Sequence, residues 1–211
     1  YQSEFPGIEL RLVEGNSSEL ARDLLHGDID LMIDLLPFTA ENVATVPICQ
    51  EEILLVVPDA VLKKTHPGQE EILKAQLQAG ADIHLLEQCP FVLLKKGNRV
   101  RTIADEIFED AQLTPRVALE TENIETALAL SAKGMGITFY PRMFTSPDHK
   151  ANAYKNPLIR QAGLNLYPLD YSRAHGTLGL GYHRGHYMSR ATHEFIRIAL
   201  ERIPYTAADG D

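Results

Sequence analysis

Residues 90–121 read "PFVLLKKGNRVRTIADEIFEDAQLTPRVALET", and this stretch decides the fold class. The apolar run at 90–94 is typical of a buried strand, and "RVALET" at 116–121 predicts a second strand. Between them, Ile103 and Ile107 recur at the spacing of one helix face. A strand–helix–strand unit predicts parallel strands joined by a right-handed crossover.

The N-terminal part of the chain shows the same alternation. Residues 8–13, "IELRLV", alternate apolar and polar side chains and predict a strand with one covered face. The side-chain oxygens at 16–18 favour a helix start, and Gly27 is suited to the left-handed residue that closes the helix. A mostly apolar run from Ile29 predicts the next strand. The chain therefore contains a second strand–helix–strand unit.

Residues 131–141, "SAKGMGITFYP", carry two glycines one residue apart. In a dinucleotide-binding fingerprint the glycines follow a strand and open a helix, whereas these follow a helix and open a strand. We expect Gly134 to end the helix in the left-handed conformation and Pro141 to end the strand. The two glycines are thus predicted to shape the fold and not to bind phosphate.

Composition restricts the possible functions of the chain. Its 211 residues are 45% hydrophobic, enough for a sizeable core, and its formal net charge is −9. Such a charge repels nucleic acid, and the longest apolar runs are too short to span a bilayer. Cys49 and Cys89 lack metal or redox spacing, so we expect reduced thiols, with a single disulfide as the alternative.

Segments 4–33, 51–58, 90–121 and 128–141 resemble, in order and spacing, the effector-binding domain of LysR-type transcriptional regulators. The resemblance implies an α/β, periplasmic-binding-protein-like (type 2) fold, in which two Rossmann-like lobes are joined by two crossover strands and hold a small effector in their cleft. The implied domains are lobe I at 1–58 plus 170–205, lobe II at 89–165 and a connecting segment at 59–88.

The resemblance also implies features of the whole protein. The family's winged helix-turn-helix domain, which binds DNA, is absent from this chain and is expected upstream. A strand and a helix of lobe I are also expected before Tyr1. The family pattern implies a homodimer of this domain, a homotetramer of the complete protein, a cytoplasmic location and no cofactor.

Asn16, Ser17 and Ser18 form the first candidate effector-binding set. Ligands of α/β sheets lie beyond the carboxyl ends of strands, where helix N-termini present free N–H groups. The resemblance also places an effector-contacting hydroxyl residue in this loop. The alternative is a purely local role in capping the helix.

The second candidate set follows the strand at 90–94. Gly97 permits close approach of a ligand, and the basic side chains nearby could pair with a carboxylate, phosphate or sulfate, which favours an anionic effector. An exposed basic face and helix capping are the alternatives. The candidates are Lys96, Gly97, Asn98, Arg99, Arg101, Thr121 and Asn123, together with Thr138 and Phe139, which the resemblance places at the cleft.

The sequence offers no positive support for catalysis or for a metal site. Asp28 and Asp30 lie in a turn where Asp bonds to the backbone. His183 and His186 lack a further ligand cluster nearby in the sequence. We predict a non-enzymatic sensor domain. The first alternative is an extracytoplasmic solute-binding protein of the same fold. The second is an enzyme on this scaffold that deaminates or dehydrates small acids.

Overall fold

The structure, a computed structural model, describes residues 1–38, 40–145, 157–160 and 163–203. The α-helices of these ranges are α1 (Ser17–His26), α2 (Asp59–Thr65), α3 (Glu70–Ala79), α4 (Arg99–Asp110), α5 (Ile124–Ala132) and α6 (Arg190–Arg202). The strands are β1 (Met32–Leu35), β2 (Val43–Pro58), β3 (Pro90–Leu94), β4 (Arg116–Thr121), β5 (Thr138–Pro141), β6 (Leu164–Pro168) and β7 (His175–His183).

The chain divides into two compact units. The first comprises Tyr1–Glu51 and Gly176–Asp211, and the second comprises Glu52–His175. Helices α2 and α3, which lie in the predicted connecting segment 59–88, fall within the second unit. The last two residues of the predicted lobe I, 204 and 205, lie outside the described residues.

In the first unit, α1 forms where the local capping signals predict it. The Asn16 side chain accepts a hydrogen bond from the Glu19 amide at 2.9 Å, and Glu19 accepts one from the Asn16 amide, which is a capping box. Gly27 ends the helix at φ 83°. Leu24 on its inner face packs in a cluster with Met32 and Val43. Strand β1 pairs antiparallel with β7.

Residues 8–13, predicted as a strand, are not one in the structure. They adopt neither helix nor strand, and no described backbone hydrogen bond joins residues 9–13 to another segment. The alternating side chains favour an extended backbone, but a strand forms only where a neighbouring strand completes the ladder. The expectation for 8–13 is therefore wrong for this chain as described.

The second unit contains the predicted strand–helix–strand unit at 90–121. Strands β3 and β4 pair in parallel with α4 between them. The second half of β2 pairs antiparallel with both β5 and β6. The expectation of parallel pairing is thus confirmed for β3 and β4, whereas the other named strand pairs with a described register are antiparallel.

The glycines of 131–141 act as structural residues in the second unit. Gly134 has φ 78°, and its amide together with that of Met135 bonds back to the last turn of α5. Gly136 lies against β3, where an added Cβ would come 2.7 Å from the Pro90 carbonyl oxygen. The first glycine closes a helix, and the second permits the close approach of two backbone segments.

Candidate functional site

The first candidate set lies at the start of α1. The Asn16 oxygen is already engaged as the helix cap. Ser17 is half-buried and Ser18 is exposed, and neither hydroxyl has a hydrogen-bond partner among the described residues. The capping role therefore belongs to Asn16, which leaves the two hydroxyls available to a ligand.

The second candidate set lies at the carboxyl ends of β3 and β4. Leu94 is paired with Thr121, and the Lys95 amide donates to the Thr121 carbonyl at 2.8 Å. Helices α4 and α5 begin just beyond these strand ends, so two helix N-termini come to one edge of a parallel pair. Residues 95–99 and 121–123 together are called the strand-end surface below.

The two asparagines of the strand-end surface are helix caps. The Asn98 side-chain oxygen accepts from the Val100 amide at 2.9 Å, and that of Asn123 accepts from the Thr126 amide at 3.0 Å. Their side-chain NH2 groups make no hydrogen bond among the residues that the structure describes. Gly97 has φ 96°, a conformation that glycine adopts without strain.

The two lysines of the strand-end surface differ in whether they form an ion pair. Lys95 and Glu122 form an exposed ion pair of 2.8 Å, which lowers the pKa of the Glu122 carboxyl and raises that of Lys95. Lys96 is exposed and has no ion pair in the described ranges. Surface pairs of this kind stabilise a fold only weakly. Lys96 is therefore the more available of the two lysines.

Arg99 carries a buried nitrogen without a partner. Its Nε is inaccessible to solvent and makes no hydrogen bond within the described structure, while its Nη1 lies 3.9 Å from a Glu106 carboxylate oxygen. An unsatisfied buried donor costs about 1–3 kcal/mol. An acceptor supplied by a ligand would remove that cost.

Arg101, by contrast, is fully engaged within the fold. It is 7% exposed, its Nη1 donates to the Leu94 carbonyl at 2.7 Å, and it forms ion pairs with Glu120 and Asp105. Burial opposes its charge, but the hydrogen bonds to Glu120 and Asp105 outweigh that effect and raise the pKa of the guanidinium. Its partners come from β3, β4 and α4, so it ties the three elements together.

Thr138 and Phe139 lie inside the second unit. Thr138 is 2% exposed, and the Phe139 ring packs against Phe108 at a centroid distance of 5.6 Å. Both line a cavity of about 10 Å³ beside Arg101, the volume that one water molecule needs. These two side chains therefore line the interior next to Arg101 and present little surface to solvent.

The cysteines and histidines considered as reactive or metal-binding groups are buried or contact nearby residues. Both cysteines are free and buried, and burial raises the pKa of each thiol. Cys89 contacts the Thr65 hydroxyl at 3.2 Å. The rings of His183 and His186 stack at 3.8 Å, and His183 Nδ1 accepts from the Gly185 amide, so that nitrogen is engaged.

Comparison with known proteins decides the family. The family model described as the LysR substrate binding domain matches residues 1–204. The chain belongs to this family. Its match covers both units, including the segments that carry the two candidate sets.

A relative of this LysR-type domain is the uncharacterized HTH-type transcriptional regulator YcgK of Bacillus subtilis, which is 26% identical over 216 residues. The match covers 100% of this chain but 63% of YcgK. Curated relatives of the domain are thus transcriptional regulators longer than the chain.

Solved structures show the same α/β fold, that of type 2 periplasmic binding proteins. The regulatory domain of Synechocystis PCC6803 CcmR, solved in complex with 2-PG, has a TM-score of 0.73 and 19% identity, over 96% of this chain and 87% of that chain. The effector-binding domain of QuiR, solved with shikimate, has a TM-score of 0.70 and 16% identity, over 97% and 90%. None of the helices described for this LysR-type domain is long and apolar enough to cross a membrane.

Sequence reasoning missed the partners of Arg101 in this domain. Glu120 lies on a different strand, and the Leu94 carbonyl carries no side-chain signal at all. The Asp105 partner was readable, because Arg101 and Asp105 stand four residues apart on one helix. That spacing marks Arg101 as the arginine with an internal partner.

Proposed function

We propose that this LysR-type domain senses a small anionic effector at the strand-end surface. The single observation that carries the proposal is the buried Nε of Arg99, which lacks an acceptor among the described residues. A carboxylate or phosphate accepts charge-assisted hydrogen bonds from a guanidinium in a directed geometry.

The surroundings of Arg99 favour an anion as well. Lys96 adds an unpaired cation, and the N-termini of α4 and α5 add partial positive charge. Gly97 leaves room for a ligand to approach the backbone. The ligand of the QuiR domain, shikimate, is itself a carboxylate. Lys96, Gly97 and Arg99 are thus the proposed anion contacts.

Other predicted site residues take different roles in this proposal. Asn98 and Asn123 cap the two helices that begin at the strand-end surface, and Thr121 ends β4 there. The buried side chains that pack beneath the surface are those of Arg101, Thr138 and Phe139. Asn16, Ser17 and Ser18 are proposed as a further effector-contacting segment of the first unit, with the two serine hydroxyls as donors and Asn16 as the cap.

The proposed role of the whole protein is transcription regulation. An effector that binds one arrangement of the domain better than another shifts the population of arrangements, and the shift is passed to an upstream DNA-binding domain. We propose a homodimer of this domain, a homotetramer of the complete protein, a cytoplasmic location and no catalytic activity. The family match and the relatives favour a regulator, and none of them supports a solute-binding protein.

The anion site is tested by titration calorimetry after a thermal-shift screen of carboxylates and phosphorylated acids. Arg99→Ala is expected to raise the Kd of a hit by about 10- to 100-fold, the loss of a charged hydrogen bond. The matched control is Arg116→Ala, which removes the same charge at the opposite end of β4 and is expected to leave Kd unchanged. An unchanged Kd in Arg99→Ala would contradict the site.

The regulatory role needs the complete protein. A mobility-shift assay on DNA from its own promoter, with and without the hit from the screen, is expected to show binding whose affinity or footprint the effector changes. Light scattering of the same sample reports the oligomeric state. Absence of DNA binding by the complete protein would contradict the regulator assignment.

A further inference from the structure

The carboxylate of Glu106 on α4 is shared by two arginines of the second unit. Its Oε1 atom lies 3.9 Å from Nη1 of Arg99, and its Oε2 atom lies 3.4 Å from Nη1 of Arg173. Arg173 also donates from Nε to the Asp110 carboxylate at 2.8 Å. A charge-assisted N–H···O bond is about 2.7–2.9 Å long, so Glu106 holds neither arginine as closely as Asp110 holds Arg173.

Arg99 reaches Glu106 only by extending along the helix. The two residues stand seven positions apart on α4, a rise of about 10 Å. Side chains of a helix lean toward its N-terminus, whereas this contact draws the Arg99 guanidinium toward the C-terminus of α4. Without Glu106 the side chain is expected to lean back toward Lys96 and Gly97, the other two proposed anion contacts.

The position that Arg99 takes beside Glu106 also hides its free donor. The Arg99 side chain is 24% exposed, but its Nε is inaccessible to solvent and makes no hydrogen bond with any described residue. A ligand can accept from Nε only after the guanidinium turns outward. Because Nε and Nη1 belong to one rigid planar group, such a turn also moves Nη1 relative to Glu106. Anion binding by Nε and the present contact with Glu106 therefore compete.

Arg173, the second arginine beside Glu106, lies in a single 3-10 turn at Ser172–Ala174. This turn packs against α4 and is closed by the His175 amide, which donates to the Ser172 carbonyl. The second unit ends at His175, where the chain passes into the first unit. The ion pairs of Arg173 thus tie α4 to the last turn of the second unit before the chain leaves it.

We propose that Glu106 is a positioning residue of the anion site, which restrains Arg99 until an effector binds. This inference rests on the proposed function and adds a regulating residue to the same site. A bound carboxylate or phosphate replaces Glu106 as the anion nearest to Arg99, and Glu106 then pairs with Arg173 alone. One partly exposed ion pair is exchanged for another, so the exchange itself requires little free energy.

Binding of inorganic phosphate by the complete protein, measured by titration calorimetry at constant ionic strength, tests the restraint on Arg99. Glu106→Gln removes the competing charge and is expected to lower the Kd of phosphate by about 2- to 5-fold, the ratio that corresponds to one partly exposed ion pair. Glu109→Gln is the matched control. It removes the same charge at an exposed residue of α4 that has no ion pair in the described ranges, and it is expected to leave Kd unchanged.

The same substitution in an Arg99→Ala protein separates restraint from simple charge. There Glu106→Gln is expected to leave Kd unchanged, because the restrained side chain is gone, and equal tightening in both proteins would overturn the proposal. A weakened Arg99→Ala together with an unchanged Glu106→Gln would contradict the role of Glu106 alone. An unchanged Kd in Arg99→Ala, or no phosphate binding by the unsubstituted protein, would contradict the anion site as well.

Hydrogen exchange with saturating phosphate tests the transfer of Glu106 to Arg173. The amides of Ala174 and His175 donate within the turn at 172–174. In the unsubstituted protein phosphate is expected to slow their exchange by at least about 3-fold, because Arg173 gains a closer partner on α4. In Glu106→Gln phosphate is expected to leave their exchange unchanged. Equal slowing in both proteins, or no slowing in either, would overturn the transfer.

Discussion

The Leu94 carbonyl oxygen accepts a 2.7 Å hydrogen bond from Nη1 of Arg101, so the last residue of β3 is held by a buried cation on α4. The same guanidinium pairs with Glu120 of β4. The carboxyl ends of both strands are thus fixed by one side chain. This arrangement fixes the strand ends that form the strand-end surface.

Arg101→Ala is expected to destabilise the domain by about 2 kcal/mol. Removing one partner of a buried ion pair typically costs about 3–5 kcal/mol, and the value is discounted here because the partner carboxylates are partly exposed. Urea unfolding followed by circular dichroism measures the change. Arg116→Ala is the control and is expected to stay within about 0.5 kcal/mol of the unsubstituted protein.

If Arg101→Ala keeps full stability and loses effector binding, then Arg101 contacts the effector and the structural role assigned to it is wrong. The sequence offers only the four-residue spacing of Arg101 and Asp105 to separate the two arginines, because Arg99 and Arg101 are both basic residues in the first turn of one helix. The second partner of Arg101, Glu120, lies 19 residues away on another strand, and long-range pairs of this kind depend on the folded register.

Asn16→Ala and Ser18→Ala are expected to act on different properties. Asn16→Ala removes a helix cap and should cost about 1 kcal/mol of stability. Ser18→Ala removes an exposed hydroxyl and should leave stability within about 0.5 kcal/mol, while weakening effector binding. Paired thermal melts with and without effector separate the two effects, and a Ser18→Ala variant with full ligand-induced stabilisation would contradict the effector role of Ser18.

Gly136→Ala is expected to destabilise the second unit by about 1–3 kcal/mol. An added Cβ would lie 2.7 Å from the Pro90 carbonyl oxygen, and backbone at both sides cannot yield easily. Gly7→Ala is the matched control, since nothing lies within 4 Å of the Cβ position there. Equal unfolding midpoints for the two variants would show that β3 and residue 136 are less close than described.

Local signals predicted the helices better than the strands. Asn16 and Gly27 fix the ends of α1 through bonds within a few residues, so the sequence alone located them. Residues 8–13 have an equally clear pattern, but a strand depends on a partner elsewhere in the chain. The antiparallel pairs of β2 likewise join residues far apart in sequence, for example Val57 and Asn165.

The position of the strand-end surface in the fold was predictable from the sequence, and the contacts of its side chains were less so. The glycine and the basic residues after "PFVLL" identify the edge of the sheet, because a strand end followed by a helix start is visible in sequence. The unsatisfied Nε of Arg99 and the capping bond of Asn98 depend on side-chain geometry, which a pattern of residue types does not contain.

Asp59 is expected to make the stability of the second unit depend on acid pH. Its carboxylate lies 2.8 Å from Lys74 Nζ and accepts from the Asn165 side chain at 2.7 Å. Partial burial works against the charge, but the hydrogen bonds from Lys74 and Asn165 outweigh it, so the pKa of Asp59 is lowered in the folded protein. In the unfolded chain the carboxyl titrates near its ordinary value of about 3.9.

The direction of the pH effect on stability follows from the pKa of Asp59 in the folded protein and in the unfolded chain. Above the unfolded pKa the folded protein gains the full contribution of the carboxylate, and the gain is lost as pH falls through the lower folded pKa. Asp59→Asn should therefore be less stable than the unsubstituted protein by about 1 kcal/mol at pH 7, and the difference should shrink steadily below about pH 4. Urea midpoints measured between pH 7 and pH 2.5 follow the change. Asp170→Asn, at an exposed carboxylate without an ion pair among the described residues, is the control and should stay within about 0.5 kcal/mol of the unsubstituted protein at pH 7. A stability gap that stays constant with pH for Asp59→Asn would contradict a depressed pKa of Asp59.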